Sequence, residues 1–108
     1  MQQNSFRELQ MMEQQFQSVL MQKQNLQIEQ MELTNAREEV TKTKGDVYKM
    51  VGSAMILSDK QSALKELEEK LNQNKNKMDS LGKQEKDLEN SIATLQKEMQ
   101  KQLSRDKK

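Results

Sequence analysis

The sequence predicts a mainly α-helical protein: a long antiparallel coiled-coil hairpin whose two helices are joined by a short β-hairpin. Two observations favour this fold class. Only 32% of the 108 residues are apolar and another 32% are charged, which is too little apolar material for a thick globular core. Apolar residues also recur at alternating spacings of three and four on both sides of a glycine-containing segment, as in heptad repeats.

The first helix is predicted from a run of ten seam positions, of which seven are apolar. Ser5, with Glu8 three residues later, fits a capping box at the helix start. Lys42 and Lys44 place positive charge at the helix end, and Gly45 can supply a left-handed cap. The seam positions are Leu9, Met12, Phe16, Val19, Lys23, Leu26, Gln30, Leu33, Arg37 and Val40.

The segment between the helices predicts a β-hairpin. Val47–Val51 and Ala54–Ser58 are rich in strand-forming residues, and Gly52-Ser53 suits a two-residue type II′ turn between them. A continuous helix through this segment is the competing interpretation, which the glycines and the β-branched residues disfavour. An isolated hairpin is marginal in water, so its strands need others to pair with, from further copies or from different chains.

The second helix repeats the same spacing, with nine of twelve seam positions apolar. Ser58 and Gln61 fit a capping box at its start. Gly82 lies inside it, either as a flexible point or as an ordinary surface substitution. The seam positions are Leu64, Leu67, Leu71, Asn74, Met78, Leu81, Glu85, Leu88, Ile92, Leu95, Met99 and Gln102.

An antiparallel pairing aligns the two seams when partner residue numbers add up to 104. This register pairs Leu33 with Leu71, and it also pairs Gln30 with Asn74. A buried polar layer of this kind can fix register, although two polar residues also meet by chance at weak seam positions. The predicted elements of this single domain, 1–108, are a first helix at about 6–43, a β-hairpin at about 47–57, a second helix at about 59–103 and a short polar tail at 104–108.

Several absences narrow the function. Without Cys or His, the sequence lacks thiolate nucleophiles, cysteine-based zinc sites and the commonest general base, so we expect no enzyme activity, no metal site and no cofactor. No apolar run reaches the roughly 18–20 residues of a membrane span, and no secretory signal pattern is present, which predicts a cytoplasmic protein. Both charge signs alternate along the second helix, which favours a solvated face over a nucleic-acid-binding stripe.

The central residues carry a family resemblance. Val47–Gly52 has the pattern Val-Tyr-Lys-x-x-Gly, and Ser58-Asp59-Lys60 opens the second helix. Together with Met21–Gln24 upstream and Lys83–Glu85 downstream, this arrangement resembles the β-class subunits of the prefoldin family over nearly the whole chain. The single hairpin argues against the α class, which carries two hairpins.

The resemblance implies a subunit of an ATP-independent chaperone. In that family two α-class and four β-class subunits form a hexamer on a double β-barrel platform. Non-native clients are held by the coiled-coil tips and passed to a group II chaperonin, and neither nucleic acid nor membrane is an implied partner. Carried over, the hairpin residues that would build the platform are Val47, Tyr48, Met50, Val51, Met55, Ile56 and Leu57.

The free ends of the two helices would form the client site. An antiparallel pair brings both ends together, and they carry more apolar residues than the seam requires, including flexible methionines that suit varied partners. Any one of these residues is equally compatible with a cap on the coiled coil or an ordinary exposed side chain. The predicted client-binding residues are Phe6, Leu9, Met11, Met12, Phe16, Leu20, Leu95, Met99 and Leu103.

A structural rod or tethering protein without chaperone activity is the alternative function. Such a rod would dimerise through its helices. It has no use for two apolar five-residue strands at its midpoint, whereas an oligomer built on a β-platform requires them. The hairpin therefore discriminates between the two functions.

Overall fold

The computed structural model describes residues 2–106 and consists of two long helices joined by a two-stranded antiparallel sheet. This order confirms the predicted fold class. The elements, in chain order, are helix α1 at Gln2–Lys42, strand β1 at Val47–Val51, strand β2 at Ala54–Ser58 and helix α2 at Lys60–Asp106.

The described residues form two compact units, each of which contains a segment of both helices. The end unit comprises the described residues up to Gln24 and those from Asp79 onward, and the hairpin unit comprises Asn25–Met78. In the end unit, Lys23 Nζ lies 2.9 Å from Glu85 Oε2. In the hairpin unit, Arg37 Nη1 lies 3.0 Å from Glu68 Oε1. Met12 and Leu95 also line one groove in the end unit, and Asn74 bonds to Leu26 in the hairpin unit, so within each unit the two helices run antiparallel. The two ion-paired partners lie within about one helical turn of the predicted register.

The predicted seam is where the helices bury their side chains. All twelve seam positions of α2 and nine of the ten in α1 are buried or half-buried, and the exception is Gln30. Val19 and Leu81 are the most completely buried apolar side chains among those described. The spacing of three and four thus identified the packed faces of both helices.

The predicted buried pair of Gln30 and Asn74 is wrong. Gln30 is exposed, whereas Asn74 is 2% exposed and donates a hydrogen bond from Nδ2 to the Leu26 carbonyl oxygen, at 3.0 Å. A backbone carbonyl was available to Asn74 one turn away, so no second polar side chain had to be buried. Asn74 Oδ1 is buried without a hydrogen-bond partner among the described residues.

The helix starts differ from the predicted capping boxes. Helix α1 already begins at Gln2, so Ser5 lies inside it and is not its cap. Ser58 is the last residue of β2, and Asp59 caps α2: its Oδ1 accepts a hydrogen bond from the Ser62 backbone N–H at 2.7 Å, and its Oδ2 accepts one from the Ser62 hydroxyl at 2.9 Å. A carboxylate is at least as good a cap as a hydroxyl, and one residue of shift lets Ser58 complete the strand pairing.

The helix ends also differ in detail. Helix α1 ends at Lys42, close to the predicted residue 43, but Gly45 does not adopt the predicted left-handed conformation. At this end, the Thr43 backbone N–H donates to the carbonyls of Glu39 and Val40, and Lys60 Nζ donates to Thr41 O at 2.8 Å. Lys60 Nζ also donates to Thr43 O, just beyond the helix, at 3.3 Å. Helix α2 continues through Asp106, so the predicted polar tail is wrong for 104–106, while Lys107 and Lys108 lie outside the described residues.

The hairpin matches its prediction. Val51 pairs with Ala54 around a two-residue loop, and the register continues to Val47 with Ser58. Gly52, the first central residue of the turn, has a φ of 62°, whereas Ser53 does not have a positive φ. This combination is the one that a type II′ turn requires.

Gly82 tests the cost of glycine within α2, because the helix passes through it without interruption. A Cβ added there would meet nothing within 4 Å. We expect Gly82→Ala to raise the free energy of unfolding by about 0.5–1 kcal/mol, since alanine loses less conformational entropy in a helix. Urea denaturation followed by circular dichroism measures the change.

Gly52→Ala is the matched control for this prediction. Its Cβ would also meet nothing within 4 Å, but the positive φ of Gly52 opposes any side chain, so this variant should be less stable than the original chain. Equal or lower stability of Gly82→Ala would show that Gly82 has a role that its open surroundings do not reveal.

Candidate functional site

The β-hairpin has two faces of different character. Side chains alternate along a strand, and paired residues share a face. One face is called the helix-side face, because its residue Lys49 contacts α2, and it consists of three cross-strand pairs. The opposite face is called the outer face and consists of two pairs. The helix-side pairs are Val47–Ser58, Lys49–Ile56 and Val51–Ala54, and the outer pairs are Tyr48–Leu57 and Met50–Met55.

The outer face is entirely apolar and lies open to solvent. Its four side chains, Tyr48, Met50, Met55 and Leu57, are between 54% and 67% exposed. Single exposed apolar residues are ordinary on protein surfaces, but four that pair with each other across two strands form a continuous patch. Such a patch is typical of a surface that another protein covers.

The backbone of the same four residues is unpaired on its outward side. A two-residue turn places its flanking residues, Val51 and Ala54, in a hydrogen-bonded pair, and bonded and non-bonded pairs alternate along the ladder. The outer-face residues therefore form the non-bonded pairs, and their N–H and C=O groups point away from the partner strand. The outer face and both free edges thus offer apolar contact and main-chain hydrogen bonds together.

The other three predicted assembly residues lie on the helix-side face. Val51 and Ile56 are about half exposed, and Val47, at the base of the hairpin, is half-buried. The helix-side face is therefore more buried at the base of the hairpin than beside its turn.

One ionic contact among the described residues joins the hairpin to helix α2. Lys49 in β1 donates from Nζ to Glu66 Oε1 in α2. This contact does not follow from the sequence, because 17 residues separate the two side chains and their meeting depends on where the hairpin packs. Alternation along β1 could have placed Lys49 on the face opposite Tyr48, but not beside a particular residue of α2.

The predicted client-binding residues divide into exposed and packed groups. Phe6, Met11 and Leu103 are between 53% and 63% exposed. The remaining six are half-buried, and two of them, Met12 and Leu95, line one groove of about 350 Å³ between the helices. The half-buried residues are Leu9, Met12, Phe16, Leu20, Leu95 and Met99.

Further exposed apolar side chains lie on α1 outside the predicted site. Met21, Ile28 and Met31 are each about half exposed or more. In the hairpin unit, a spacing of three places Ile28 and Met31 on one side of α1, away from the seam, and Met21 in the end unit is also off the seam. Their off-seam positions were visible in the sequence, but nothing in the sequence distinguished them from ordinary exposed residues.

Metal-binding clusters and membrane-spanning helices are both absent among the described residues. No group of three or more acidic, His or Cys side chains among residues 2–106 is placed to hold a metal ion. Within the same range, neither helix combines the length and apolar character that crossing a bilayer demands. The arrangement is suited to protein contacts through the outer face and the helix ends.

Comparisons with known proteins agree with this geometry. The sequence profile of the prefoldin subunit family matches residues 1–106. The fold is similar to that of the prefoldin beta subunit from Thermococcus strain KS-1, with a TM-score of 0.86 and 32% identity, over 94% of this chain and 91% of that chain. It is also similar to the prefoldin beta2 subunit from the same strain, with a TM-score of 0.72 and 19% identity, over 81% of this chain and 95% of that chain. A search of curated proteins found no match.

The hydrogen bond from Lys49 lowers the pKa of Glu66 below its ordinary value of 4.5, and the positive charges of Lys49 and Lys70 lower it further. A lowered pKa means that the contact is fully formed above the ordinary value and is lost as the pH falls through the lowered pKa. We expect the carboxyl signal of Glu66 in an NMR titration to have its midpoint below 4.5, and Lys49→Gln to raise that midpoint.

Lys65→Gln is the control for this titration, because it removes a charge from the neighbouring position of α2 without touching the contact. An unchanged midpoint in Lys49→Gln would contradict the assignment of Lys49 as the main partner.

Proposed function

The chain belongs to the prefoldin subunit family, and on that premise we propose that it is a subunit of an ATP-independent holdase. It binds non-native polypeptides through the ends of its two helices and delivers them to a group II chaperonin. The observation that carries the proposal is the outer face of the hairpin, with four exposed apolar side chains and unpaired backbone edges. A cytoplasmic location is part of the same proposal.

Assembly through the hairpin is the first step of the proposed mechanism. Prefoldin subunits assemble into hetero-oligomers of α and β subunits. In the proposed hexamer of two α-class and four β-class subunits, strands of neighbouring subunits pair with the free edges, and the outer face is buried in a shared barrel. Each fully buried apolar side chain contributes roughly 1.5–3 kcal/mol, so the four together favour association strongly.

Client binding at the helix ends is the second step. Phe6, Met11 and Leu103 offer exposed apolar contacts, and Met12 and Leu95 line a groove between the helices. One chain supplies few contacts, so its affinity for an unfolded polypeptide is weak. Several chains on one platform raise the effective concentration of binding sites, which converts weak contacts into useful retention.

The assembly step predicts that charging the outer face prevents oligomer formation. We expect Tyr48→Lys combined with Leu57→Lys to weaken association with a prefoldin α-class subunit by more than about 100-fold, because two apolar contacts are replaced by buried charges. Light scattering after size exclusion measures the mass of the mixture.

Met21→Lys combined with Met31→Lys is the matched control, since it adds equal charge at equally exposed positions of α1. It should assemble as the original chain does. A stable dimer that ignores the α-class subunit and tolerates the hairpin substitutions would contradict the proposal and favour a structural rod.

The client step predicts that polar substitutions at the helix ends remove chaperone activity without affecting assembly. We expect Phe6→Gln, Met11→Gln and Leu103→Gln together to raise by at least about tenfold the concentration of complex that half-suppresses aggregation of denatured citrate synthase. All three positions are exposed, so the mass of the complex should not change.

The control complex carries Met21→Gln, Ile28→Gln and Met31→Gln, which remove exposed apolar side chains elsewhere on α1. Full protection by the end-substituted complex would refute the proposed client site. An equal loss in the control would move client binding to the side of α1 that carries Met21, Ile28 and Met31.

A further inference from the structure

Lys49 is the single charged residue in the two strands. An exposed lysine on an edge strand can serve simply to prevent aggregation. Here its amino group is instead engaged, because Nζ donates to Glu66 Oε1 in the second turn of α2. Both side chains are 40–46% exposed, so the contact forms at the surface without burying a charge.

The contact acts on one face of the hairpin only. Lys49 and its cross-strand partner Ile56 lie on the helix-side face, and Val47 and Ser58 at the base of that face are half-buried. On the outer face, the neighbouring cross-strand pair of Tyr48 and Leu57 remains exposed to solvent. A hairpin tied to α2 through its helix-side face must present its outer face and its free edges away from α2.

We propose that Lys49 is a positioning residue for subunit assembly: through Glu66 it holds the hairpin against α2, so that the outer face and free edges are aimed at the neighbouring subunit. This inference rests on the proposed function, because it concerns the same oligomer. Lys49 itself need not touch the neighbouring subunit.

A second contact makes the base of the hairpin a suitable anchor. Lys60, the first residue of α2, donates to the carbonyls of Thr41 and Thr43 at the end of α1. The two helix ends are therefore tied directly to each other, whereas the hairpin is joined to them through two short connections, residues 43–46 and Asp59. Lys49 reaches beyond this base to Glu66, so its contact adds a second point at which the hairpin is fixed to α2.

The expected size of the effect follows from the exposure of the pair. Surface ion pairs shift equilibria only slightly. Without the contact, the population of correctly oriented hairpins should therefore fall by roughly two- to fivefold. Apparent affinity falls in proportion to the competent population. An oligomer that uses several such hairpins multiplies the loss, so assembly should respond more strongly than the stability of one chain.

The test is a charge exchange. Lys49→Glu, Glu66→Lys and the combined exchange are each mixed with a prefoldin α-class subunit, and the protein concentration at half-assembly is measured by light scattering. Each single variant should raise that concentration by at least about threefold, and the combined exchange should restore it to within about twofold of the original. Lys65→Glu, an equal charge change at the neighbouring exposed position of α2, should leave it unchanged.

Two results would overturn the inference. One is assembly of both single variants at the original concentration. The other is failure of the combined exchange to restore assembly, which would show that Lys49 acts directly on the neighbouring subunit. Failure of the original chain to assemble at all would instead refute the proposed function.

Residual dipolar couplings of the free chain give a readout that does not depend on assembly. In the original chain, the amides of the strands and of the first turns of α2 should fit one alignment tensor. The strand couplings should shrink in each single variant and recover in the combined exchange. Unchanged strand couplings in the single variants would also overturn the positioning role.

Discussion

The seam between α1 and α2 is the constraint on which the rest of the structure depends. Two helices in contact can bury side chains only along one line, and among the described side chains only Val19, Leu81 and Asn74 are fully buried. Such a chain has no interior in which to place the apolar strands of its hairpin. The outer face is therefore exposed in the single chain, and this exposure is the reason for proposing that other chains cover it.

Polar contacts, rather than apolar packing, fix the details of this simple fold. Asn74 bonds to a backbone carbonyl across the seam, Asp59 caps α2, and Lys60 donates to the carbonyl of Thr41 near the end of α1. Lys49 adds the contact between strand and helix. Each is individually weak, but each has a defined direction, which an apolar seam lacks. Together they set where the helices end and which way the hairpin faces.

The amino-acid sequence predicts the elements of this fold better than their contacts. Period and turn chemistry are local, so the heptad seams, the two strands and the type II′ turn at Gly52 follow directly from residue order. The cap at Asp59, the partner of Asn74 and the contact of Lys49 depend on side chains far apart in the chain. Local patterns are equally compatible with Ser58 as the cap of α2, with Gln30 as the partner of Asn74 and with a solvated Lys49. The contacts that form instead are determined by tertiary packing.

The candidate site shows the same division. The resemblance implies the hairpin residues, and the surplus of apolar residues over the seam predicts those at the helix ends. Neither predicts which of them are exposed: Leu20 and Met11 both lie off the seam, but Met11 is 63% exposed whereas Leu20 is half-buried. Assembly through the outer face is tested by amide hydrogen exchange of the free chain and of its complex with a prefoldin α-class subunit. We expect rapid exchange at Tyr48, Met50, Met55 and Leu57 in the free chain and strong protection in the complex. Equally rapid exchange in both states would contradict assembly through the outer face.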